Sequence, residues 1–526
     1  MGIPSFYKYI KNGYKDGIGL SENCPNNVTR LYLDFNGIIH TCKEPVLLEN
    51  GTEKDIFSAV LKYVEHMVIT INPSELLFIS VDGVAPRAKM EQQRKRRYKS
   101  CQDMALEPKK EDSPKKKKWD SNAITPGTRF MSNMDRELYK SKYLRQLSDK
   151  INVIISNSSS PGEGEQKIFR HIRDTEDDDI NVINVIHGLD ADLFMLSLLV
   201  LPKQIYLYRE FELKPTYVCI TTLANRLKTR DNILSTKDYV LMSFLMGNDF
   251  IPKLYALNLR QNALDIVLDL YEKLKLNEKL VVNGKIQKNS LLNIFKELSQ
   301  KEDELVKNRA ETTVYKNLVR HGHSREDRFH HWPDYHRDLE VKINFGNPGW
   351  RERYYQMACE IDTSNEEKYE GVVEDMCKQY VNGLAWNLDY YTSKNPVKYC
   401  DQAWYYPYIH APLLEDIVKY LEKNDIKTPK SNKQYTSLDQ LAIVLPPQSR
   451  FLLPYSWRSY ILHEKRQYPW RFRLDPVGCI FRWECAPILP QFNEDFLKVL
   501  KENCELTIHE EKRKKKHNDF LLTNDL

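Results

Sequence analysis

The sequence predicts an α/β protein in which a mostly parallel, twisted sheet is flanked by helices and a second, mixed region packs against it. The first two hundred residues contain four short apolar, β-branched runs, at 30–35, 76–83, 151–157 and 180–192. Between them, apolar side chains recur at helical spacing at 54–69, 134–147 and 164–173. Continuous apolar strands that alternate with such helices are typical of a parallel sheet covered on both faces.

The length and composition of the chain indicate more than one unit. A chain of 526 residues is too long for one ordinary core. We predict a core domain at 1–263, a helical connector or insertion at 264–345, and a region at 346–505, rich in proline and aromatic residues, that buttresses the core. A basic, flexible tail at 506–526 follows.

Composition also excludes several classes of protein. The longest apolar runs, such as 194–201, fall well short of the roughly 20 residues that a bilayer span needs, and the N-terminus lacks the layout of a secretory signal. Ten cysteines without a C-x-x-C pair indicate reduced thiols in an intracellular protein and argue against a zinc finger. Nucleus and cytoplasm both stay open, although lysine-rich runs at 114–118 and 512–517 lean weakly towards the nucleus.

Acidic residues recur where the predicted strands end. Ligands of an open parallel sheet gather beyond the carboxyl ends of its strands. Two acids end the first and second strands, two follow the fourth, two lie in a glycine-containing loop at a helix start, and one follows a helix. These candidates are Asp34, Asp82, Glu163, Glu165, Asp190, Asp192 and Asp249.

The seven acids together predict a metal site. Each one alone has an ordinary explanation, since aspartates cap helices and glutamates are enriched in first turns. Brought together they would repel, because two like charges ~4 Å apart cost about 4 kcal/mol at an effective dielectric near 20. Oxygen ligands without histidine or cysteine describe Mg²⁺ or Mn²⁺. Two such ions roughly 3.5 to 4 Å apart can support phosphodiester hydrolysis.

A strongly basic segment follows the second predicted strand. If 87–99 is helical, Lys89, Gln93, Arg96 and Arg97 share one face. An ammonium, an amide and two guanidinium groups suit a dianionic terminal phosphate. A solvated basic helix is the ordinary alternative, but the nearness of Asp82 favours a phosphate site beside the metals.

Blocks spread along the chain resemble the Xrn family of 5'-to-3' exoribonucleases. The first region of that family is matched by "LYLDFNGIIHTC", "VDGVAPRAKMEQQRKRR", "PGEGEQKI", "HGLDADLFML" and "LMGNDFIP". The second is matched by "GWRERYY", "YVNGLAW", "WYYPYIHAP" and "LAIVLPPQSR". The resemblance runs in order from residue 1 to about 500 and implies a PIN/FEN-like nuclease core at 1–263.

The resemblance also implies an activity and assigns residues to it. The expected reaction is processive hydrolysis of single-stranded RNA from a 5'-monophosphate end to mononucleotides with two Mg²⁺ or Mn²⁺ ions, in mRNA decay or RNA processing. The seven acids become metal ligands and catalytic residues, and the four residues of the basic helix become the 5'-phosphate pocket. In the family a histidine and a tryptophan sandwich the leading bases, and His40 and Trp404 match them. A core position is the alternative for Trp404, and Trp386 lies close by in sequence.

Two other functions stay open at this point. A flap-type DNA nuclease shares the acid arrangement, but the pattern from Lys89 to Arg97 and the second region favour the RNA enzyme. An RNA-binding scaffold without catalysis need not keep its acids, which are all present. The sequence carries no long C-terminal extension and no C-x-x-C knuckle, so we expect a compact member, a monomer, of either the nuclear or the cytoplasmic branch.

Overall fold

An eight-stranded sheet forms the centre of the described part of the molecule. The structure is a computed structural model that describes residues 3, 5–13, 19–107, 119–175, 181–188, 190–211, 214–230, 233, 235–274, 279–315, 324–514 and 518–522. The lysine-rich positions 114–118 and 515–517 lie outside these ranges. The strands are β1 (Leu20–Ser21), β2 (Arg30–Asp34), β3 (Leu76–Ser80), β4 (Asn152–Ser156), β5 (Ile183–His187), β6 (Gln204–Phe211), β7 (Lys214–Cys219), β8 (Val281–Val282), β9 (Lys285–Ile286), β10 (Arg473–Asp475), β11 (Ala486–Ile488) and β12 (Phe520–Leu522). The order of the strands in the eight-stranded sheet is β1-β7-β6-β5-β2-β3-β4-β12.

Helices cover both faces of the sheet and make up most of the later chain. They are α1 (Phe6–Gly13), α2 (Phe35–Leu48), α3 (Glu53–Ile71), α4 (Arg87–Leu106), α5 (Arg129–Lys140), α6 (Lys142–Ser148), α7 (Gly164–Asp174), α8 (Asp192–Leu198), α9 (Ile220–Arg230), α10 (Thr236–Phe244), α11 (Ala263–Lys273), α12 (Lys288–Gln300), α13 (Glu302–Ala310), α14 (Arg325–His330), α15 (Asp338–Ile343), α16 (Trp350–Arg353), α17 (Glu366–Thr392), α18 (Pro396–Tyr399), α19 (Leu414–Lys423), α20 (Ser437–Val444), α21 (Arg458–His463), α22 (Asp495–Asn503) and α23 (Ile508–Lys514). None of the helices in the described ranges has both the length and the apolar character of a bilayer-spanning segment.

The α/β fold predicted from the sequence is confirmed. The four predicted strands are β2, β3, β4 and β5, and they pair in parallel. The register is flush, because Asp34 pairs with Ser80 and Ser80 pairs with Ser156. The acid-bearing segments therefore leave the sheet along one edge.

One predicted helix is two. The apolar pattern at 134–147 predicts a single helix, whereas α5 ends at Lys140 and α6 begins at Lys142. Ser141 separates them, and its hydroxyl accepts a hydrogen bond from the backbone N–H of Leu144. A serine side chain that binds the first free N–H groups starts a new helix, and periodicity of apolar residues does not report it.

Two large cores lie on opposite faces of the sheet. One packs α2, α3 and α5 against residues such as Leu31 and Leu77. The other packs α7, α8 and α10 against the opposite face and continues without interruption through Leu298, Phe345 and Trp386. The segment 264–345 and the start of the second region therefore share a core with the first domain.

The tail does not behave as predicted. Residues 508–514 form α23, and β12 pairs antiparallel with β4, with Phe520 opposite Ile155 and Leu522 opposite Val153. Leu522 is buried in the core on the α3 side of the sheet. The prediction of a flexible tail is therefore wrong for 508–514 and 520–522, because charge and position in the chain do not reveal that the edge of β4 needs a partner.

Candidate active site

Five segments deliver the seven predicted acids to the carboxyl edge of the sheet. Asp34 is the last residue of β2 and precedes α2, and Asp82 lies two residues beyond β3. Glu163 precedes the first residue of α7, and Glu165 lies in its first turn. The remaining three are Asp190 and Asp192 at the start of α8 and Asp249 after α10.

Hydrogen bonds of backbone groups link the segment that carries Asp82 to the segment that carries Glu163 and Glu165. The N–H of Gly164 donates to Asp82 Oδ1 at 2.6 Å. Across the same junction the N–H of Gly83 donates to the carbonyl oxygen of Gly162, and the N–H of Gly162 donates to that of Val84. A Cβ at Gly164 would lie 2.9 Å from Asp34 Oδ1 and 3.2 Å from Asp82 Oδ1. Glycine at this position therefore allows two carboxylates from neighbouring strands to approach one helix start.

Lys89 of α4 projects into the acid cluster. Its ammonium lies 2.6 Å from Glu163 Oε2 and 2.9 Å from Asp249 Oδ2, and all three side chains are largely buried. Burial alone would lower the pKa of Lys89, but the surrounding carboxylates hold that pKa well above its usual range. The lysine thus binds two of the seven acids directly.

Burial and mutual repulsion govern the protonation of the acids. Burial, together with Asp82 and Asp190, raises the pKa of Asp34 well above its ordinary value. Burial and the neighbouring Asp249 raise the pKa of Asp192 to about 7. Asp249 differs, because the attraction of Lys89 outweighs its burial and lowers its pKa. Such opposed shifts within one cluster are characteristic of functional sites.

The donor atoms suit a hard divalent cation, although the side chains are not yet arranged around one. All seven predicted ligands are carboxylates, the ligand type that Mg²⁺ and Mn²⁺ prefer. Within the described ranges no group of three or more acidic, histidine or cysteine side chains converges as a ready-made metal centre. A cation that binds both Glu163 and Asp249 would have to displace the ammonium of Lys89.

The basic segment forms a helix, as predicted, and α4 extends from Arg87 to Leu106. Gln93 and Arg97 are buried on it, whereas Arg96 is exposed. Gln93 accepts a hydrogen bond from Gln440 Nε2 at 3.2 Å. Arg97 Nη1 is buried and has no hydrogen-bond partner among the described residues. A buried guanidinium nitrogen without a partner is costly unless an anion binds it.

His40 of α2 lies in the electrostatic reach of the same helix. Its side chain is exposed, but desolvation by the protein around it, followed by Lys43, Arg96 and Arg97, lowers the pKa of His40 to about 4. The imidazole is therefore neutral at physiological pH, and a flat, uncharged ring stands beside the candidate phosphate pocket.

Trp404 occupies a different environment. Its ring is 8% exposed and packs on Trp386 at a centroid distance of 4.9 Å, while its Nε1 donates to Gln379. Trp386 is itself fully buried. A base could stack on Trp404 only if this packing opened, so the stacking role of Trp404 stays a prediction.

Sequence reasoning missed two residues that orient the acids. The side chain of Asn36 accepts a hydrogen bond from the backbone N–H of Asp82 at 3.1 Å, and its place two residues after Asp34 could have suggested this role. Tyr390 donates to Glu163 Oε1 at 2.6 Å. It lies on α17, 227 positions away along the chain, and carries no local signal.

Comparison with known proteins matches two successive parts of the chain to two family models. Two family models match, "XRN 5'-3' exonuclease N-terminus" over residues 1–211 and "Xrn1 helical domain" over 230–332 and 333–525. The chain is 28% identical to human 5'-3' exoribonuclease 1, over 99% of this chain and 35% of that protein. It is 26% identical to the Saccharomyces cerevisiae 5'-3' exoribonuclease 1, over 94% of this chain and 42% of that protein.

A Drosophila melanogaster 5'-3' exoribonuclease 2 homolog is 26% identical over 99% of this chain and 73% of its own length. The chain thus spans less than half the length of the exoribonuclease 1 proteins that it matches. The two family models nevertheless cover nearly all of it, including the segments that carry every acid and the basic helix. The chain belongs to the XRN 5'-3' exonuclease family.

Proposed function

We propose that this protein is a metal-dependent 5'-to-3' exoribonuclease that hydrolyses single-stranded RNA from a 5'-monophosphate end. One observation carries the proposal: a buried guanidinium nitrogen of Arg97, which has no hydrogen-bond partner in the part of the chain that the structure describes, lies on the same helix as Lys89, whose ammonium binds the acid cluster. An anion recognised by Arg97 would therefore be held beside the carboxylates. The names of the relatives support the same direction and substrate.

Each part of the site has a distinct task in this proposal. Gln93, Arg96 and Arg97 bind the terminal phosphate, and the neutral ring of His40 supports the first base. The amide of Gln93 and the fork of Arg97 are fixed by burial, so a triphosphate or cap would have to displace packed side chains. Stacking and phosphate contacts accept any base, which suits a sequence-independent exonuclease.

The seven acids, Asp34, Asp82, Glu163, Glu165, Asp190, Asp192 and Asp249, would hold two Mg²⁺ or Mn²⁺ ions, and Glu163 and Asp249 are the two that Lys89 contacts directly. When bound, such ions supply an activated water and stabilise the leaving oxygen. The protein contributes the fixed carboxylates, and Lys89 is released from Glu163 and Asp249 to contact the substrate phosphate.

Matched RNAs that differ only at the 5' end test the proposal. We expect rapid release of mononucleotides from a 5'-monophosphate 20-mer in Mg²⁺, and slow release from its 5'-hydroxyl and 5'-triphosphate forms. Arg97→Met should remove most of this preference, whereas Arg136→Met, which changes an exposed arginine on α5, should leave it intact. Equal rates on the three RNAs with the unmodified protein would reject the phosphate pocket.

The metal assignment has its own experiment. Asp192→Asn should lower turnover by roughly a thousandfold, since metal coordination contributes several kcal/mol, while affinity for 5'-phosphorylated RNA stays close to normal. Asp495→Asn, at an exposed ion pair with Lys498, is the matched control. Full activity of the Asp192 variant would remove the metal site from the proposal.

A flap-type DNA nuclease is the remaining enzyme alternative. Incubation with a 5'-flap DNA and with the 5'-monophosphate RNA under the same conditions separates the two. Preferential cleavage of the DNA would reject RNA as the substrate class but would leave the catalytic assignment of the acid cluster intact.

A further inference from the structure

The last described strand, β12, forms the edge of the sheet next to the candidate active site. Strand β12 runs antiparallel to β4, so its first residue lies at the carboxyl end of β4, where the loop 157–163 begins. Asp519 immediately precedes this strand. The geometry brings residue 519 to the loop that leads into Glu163, about 350 positions earlier in the chain.

The carboxylate of Asp519 binds the end of β4, the loop itself and the helix that follows the loop. Its Oδ1 accepts hydrogen bonds from the hydroxyls of Ser156 at 2.5 Å and Ser160 at 2.7 Å. Its Oδ2 forms an ion pair with Arg170 of α7 at 2.6 Å. One carboxylate therefore ties together the end of β4, the middle of the loop and the helix that carries Glu165. Charge-assisted hydrogen bonds of this kind are the stronger class.

The opposite side of the same loop faces the residues around Asp82. The backbone of Gly83 packs directly against the carbonyl group of Ser160, with no room for a Cβ between them. Gly83 and Val84 exchange backbone hydrogen bonds with Gly162 at 2.8 Å. The buried ammonium of Lys167 donates to the carbonyl oxygens of Val81 and Asn157. Any displacement of Ser160 would thus move the segment that carries Asp82.

We propose that Asp519 is a positioning residue of the nuclease site, and that the segment 518–522 acts as a clasp that fixes the loop 157–163 so that Glu163 and Asp82 face each other. The inference rests on the proposed function and adds an element from the far end of the sequence to its site. Asp519 touches neither substrate nor metal ligands and acts through Ser156, Ser160 and Arg170.

A purely structural role for Asp519 predicts a different outcome. An edge strand that only covers β4 would contribute to the free energy of unfolding and nothing else. The three partners of Asp519 are instead grouped around one loop, and the apolar contribution of the strand comes from Leu522, whose side chain is buried in the core. The polar contacts of Asp519 and the apolar burial of Leu522 can therefore be changed by separate substitutions.

The test compares Asp519→Asn and Asp519→Ala with Leu144→Ala in the full chain. Leu144 is fully buried in α6 and belongs to the same core as Leu522, so its truncation lowers stability while Asp519 keeps its side-chain partners Ser156, Ser160 and Arg170. For Asp519→Ala we expect kcat on 5'-monophosphate RNA to fall about 10- to 100-fold, as for partners that orient metal ligands, with KM within about twofold. Asp519→Asn, which keeps the shape and loses the charge, should lie in between. Leu144→Ala should lower Tm but leave kcat unchanged when kcat is measured at a temperature well below the Tm of this variant.

Amide hydrogen exchange gives a readout that does not depend on activity. Exchange in 158–165 should accelerate at least tenfold in Asp519→Ala and stay unchanged in Leu144→Ala. The Ser160→Ala effect on kcat should largely disappear in the Asp519→Ala background, since residues that act as one unit are not additive. Unchanged exchange and unchanged kcat in Asp519→Ala would overturn the clasp, as would a loss of kcat in Leu144→Ala of the same size.

The two proposals can fail independently. If the unmodified chain releases no nucleotide from any RNA, the proposed function fails, and the exchange experiment still decides whether Asp519 fixes the loop. If the chain is an active exoribonuclease and Asp519→Ala matches it in kcat and in exchange, only the clasp is rejected.

Discussion

His40 illustrates how an environment sets the chemistry of a single residue. Its side chain is exposed, yet desolvation by the surrounding protein, followed by the cations Lys43, Arg96 and Arg97, lowers its pKa to about 4 and keeps the imidazole neutral. The native state therefore binds a proton on His40 less readily than the unfolded chain does. Because the side chain is exposed, solvent screening keeps its contribution to stability small, and that contribution is present above pH 6.5 and lost as the pH falls towards 4.

Substitution of His40 tests whether its flat ring or its titratable nitrogen matters. We expect His40→Phe to keep the affinity for 5'-monophosphate RNA within about threefold, because stacking needs only a π-face. His40→Ala should weaken binding by about 1 to 3 kcal/mol, the usual contribution of one stacked base. Fluorescence anisotropy with Ca²⁺ in place of Mg²⁺ measures both variants without turnover. Equal losses in the two variants would contradict a stacking role.

Glu302 is a buried carboxyl far from the acid cluster, at the start of α13. Its Oε1 accepts a hydrogen bond from the backbone N–H of Leu414 at 2.7 Å, and burial raises its pKa from 4.5 to about 7. The folded protein therefore holds this proton more tightly than the unfolded chain. The resulting stability is fully present below pH 4.5 and is lost as the pH rises towards 7.

Glu302→Gln should remove this pH dependence, since the amide oxygen can still accept the hydrogen bond from Leu414. We expect the free energy of unfolding from urea melts to decline less between pH 4.5 and 7, by on the order of 3 kcal/mol for a shift of that size. Glu422→Gln, at a half-exposed ion pair with Lys296, is the control and should leave the slope unchanged. An identical slope in the Glu302 variant would show that the carboxyl is ionised in the native state over this range.

At the scale of elements, the junction between the end of β3 and the loop before α7 determines where the acids lie. Gly83 occupies the point at which the two segments touch, and a side chain there would overlap the carbonyl oxygen of Ser160. The strands themselves only bring Asp34 and Asp82 to a common edge. The backbone contact behind them decides their separation from Glu163.

Gly83→Ala should therefore damage both stability and activity. We expect a loss of about 1 to 3 kcal/mol in the free energy of unfolding, the range for overpacked sites, and a fall in kcat of at least tenfold. Gly371→Ala on α17 is the matched control, because nothing lies within 4 Å of its added Cβ and alanine favours a helix by up to about 1 kcal/mol. Urea melts and RNA turnover check the pair. Normal turnover in the Gly83 variant would mean that the junction tolerates movement.

At the scale of the whole molecule, the second region completes the first rather than standing beside it. Tyr390 on α17 binds Glu163 directly, and α17 packs on α8 and α10. One core runs from Ile168 through Leu298 and Phe345 to Trp386. A chain cut at the predicted boundary after residue 263 would lack α11 and expose the apolar surfaces of α8 and α10.

We expect residues 1–263 expressed alone to lack a cooperative thermal transition by circular dichroism, whereas the full chain should show one. The physical reason is that burial of these helices is a main source of stability and is supplied by later segments. Residues 1–263 with Gly164 and the acids intact should also fail to degrade RNA. A fragment that melts cooperatively near the Tm of the full chain would establish the first domain as autonomous.

Sequence alone was sufficient for what local patterns encode. The apolar runs predicted β2 to β5 and their parallel pairing, and the acids at strand ends predicted the candidate site, because strand order and flush register bring such residues to one edge. The basic helix α4 and the family resemblance likewise followed from contiguous residues. Spacing within a segment is a property of the sequence itself.

Only the tertiary structure decided the contacts between distant segments. Lys89 binds Glu163 and Asp249 although its helical face indicated the phosphate pocket, and Trp404 packs against Trp386 in the core. Tyr390 and Asp519 reach the site from α17 and from the last strand, and Ser141 splits a helix that periodicity predicts as one. These features depend on which surfaces meet when the chain collapses, and pairs separated by hundreds of residues leave no periodic trace in a single sequence.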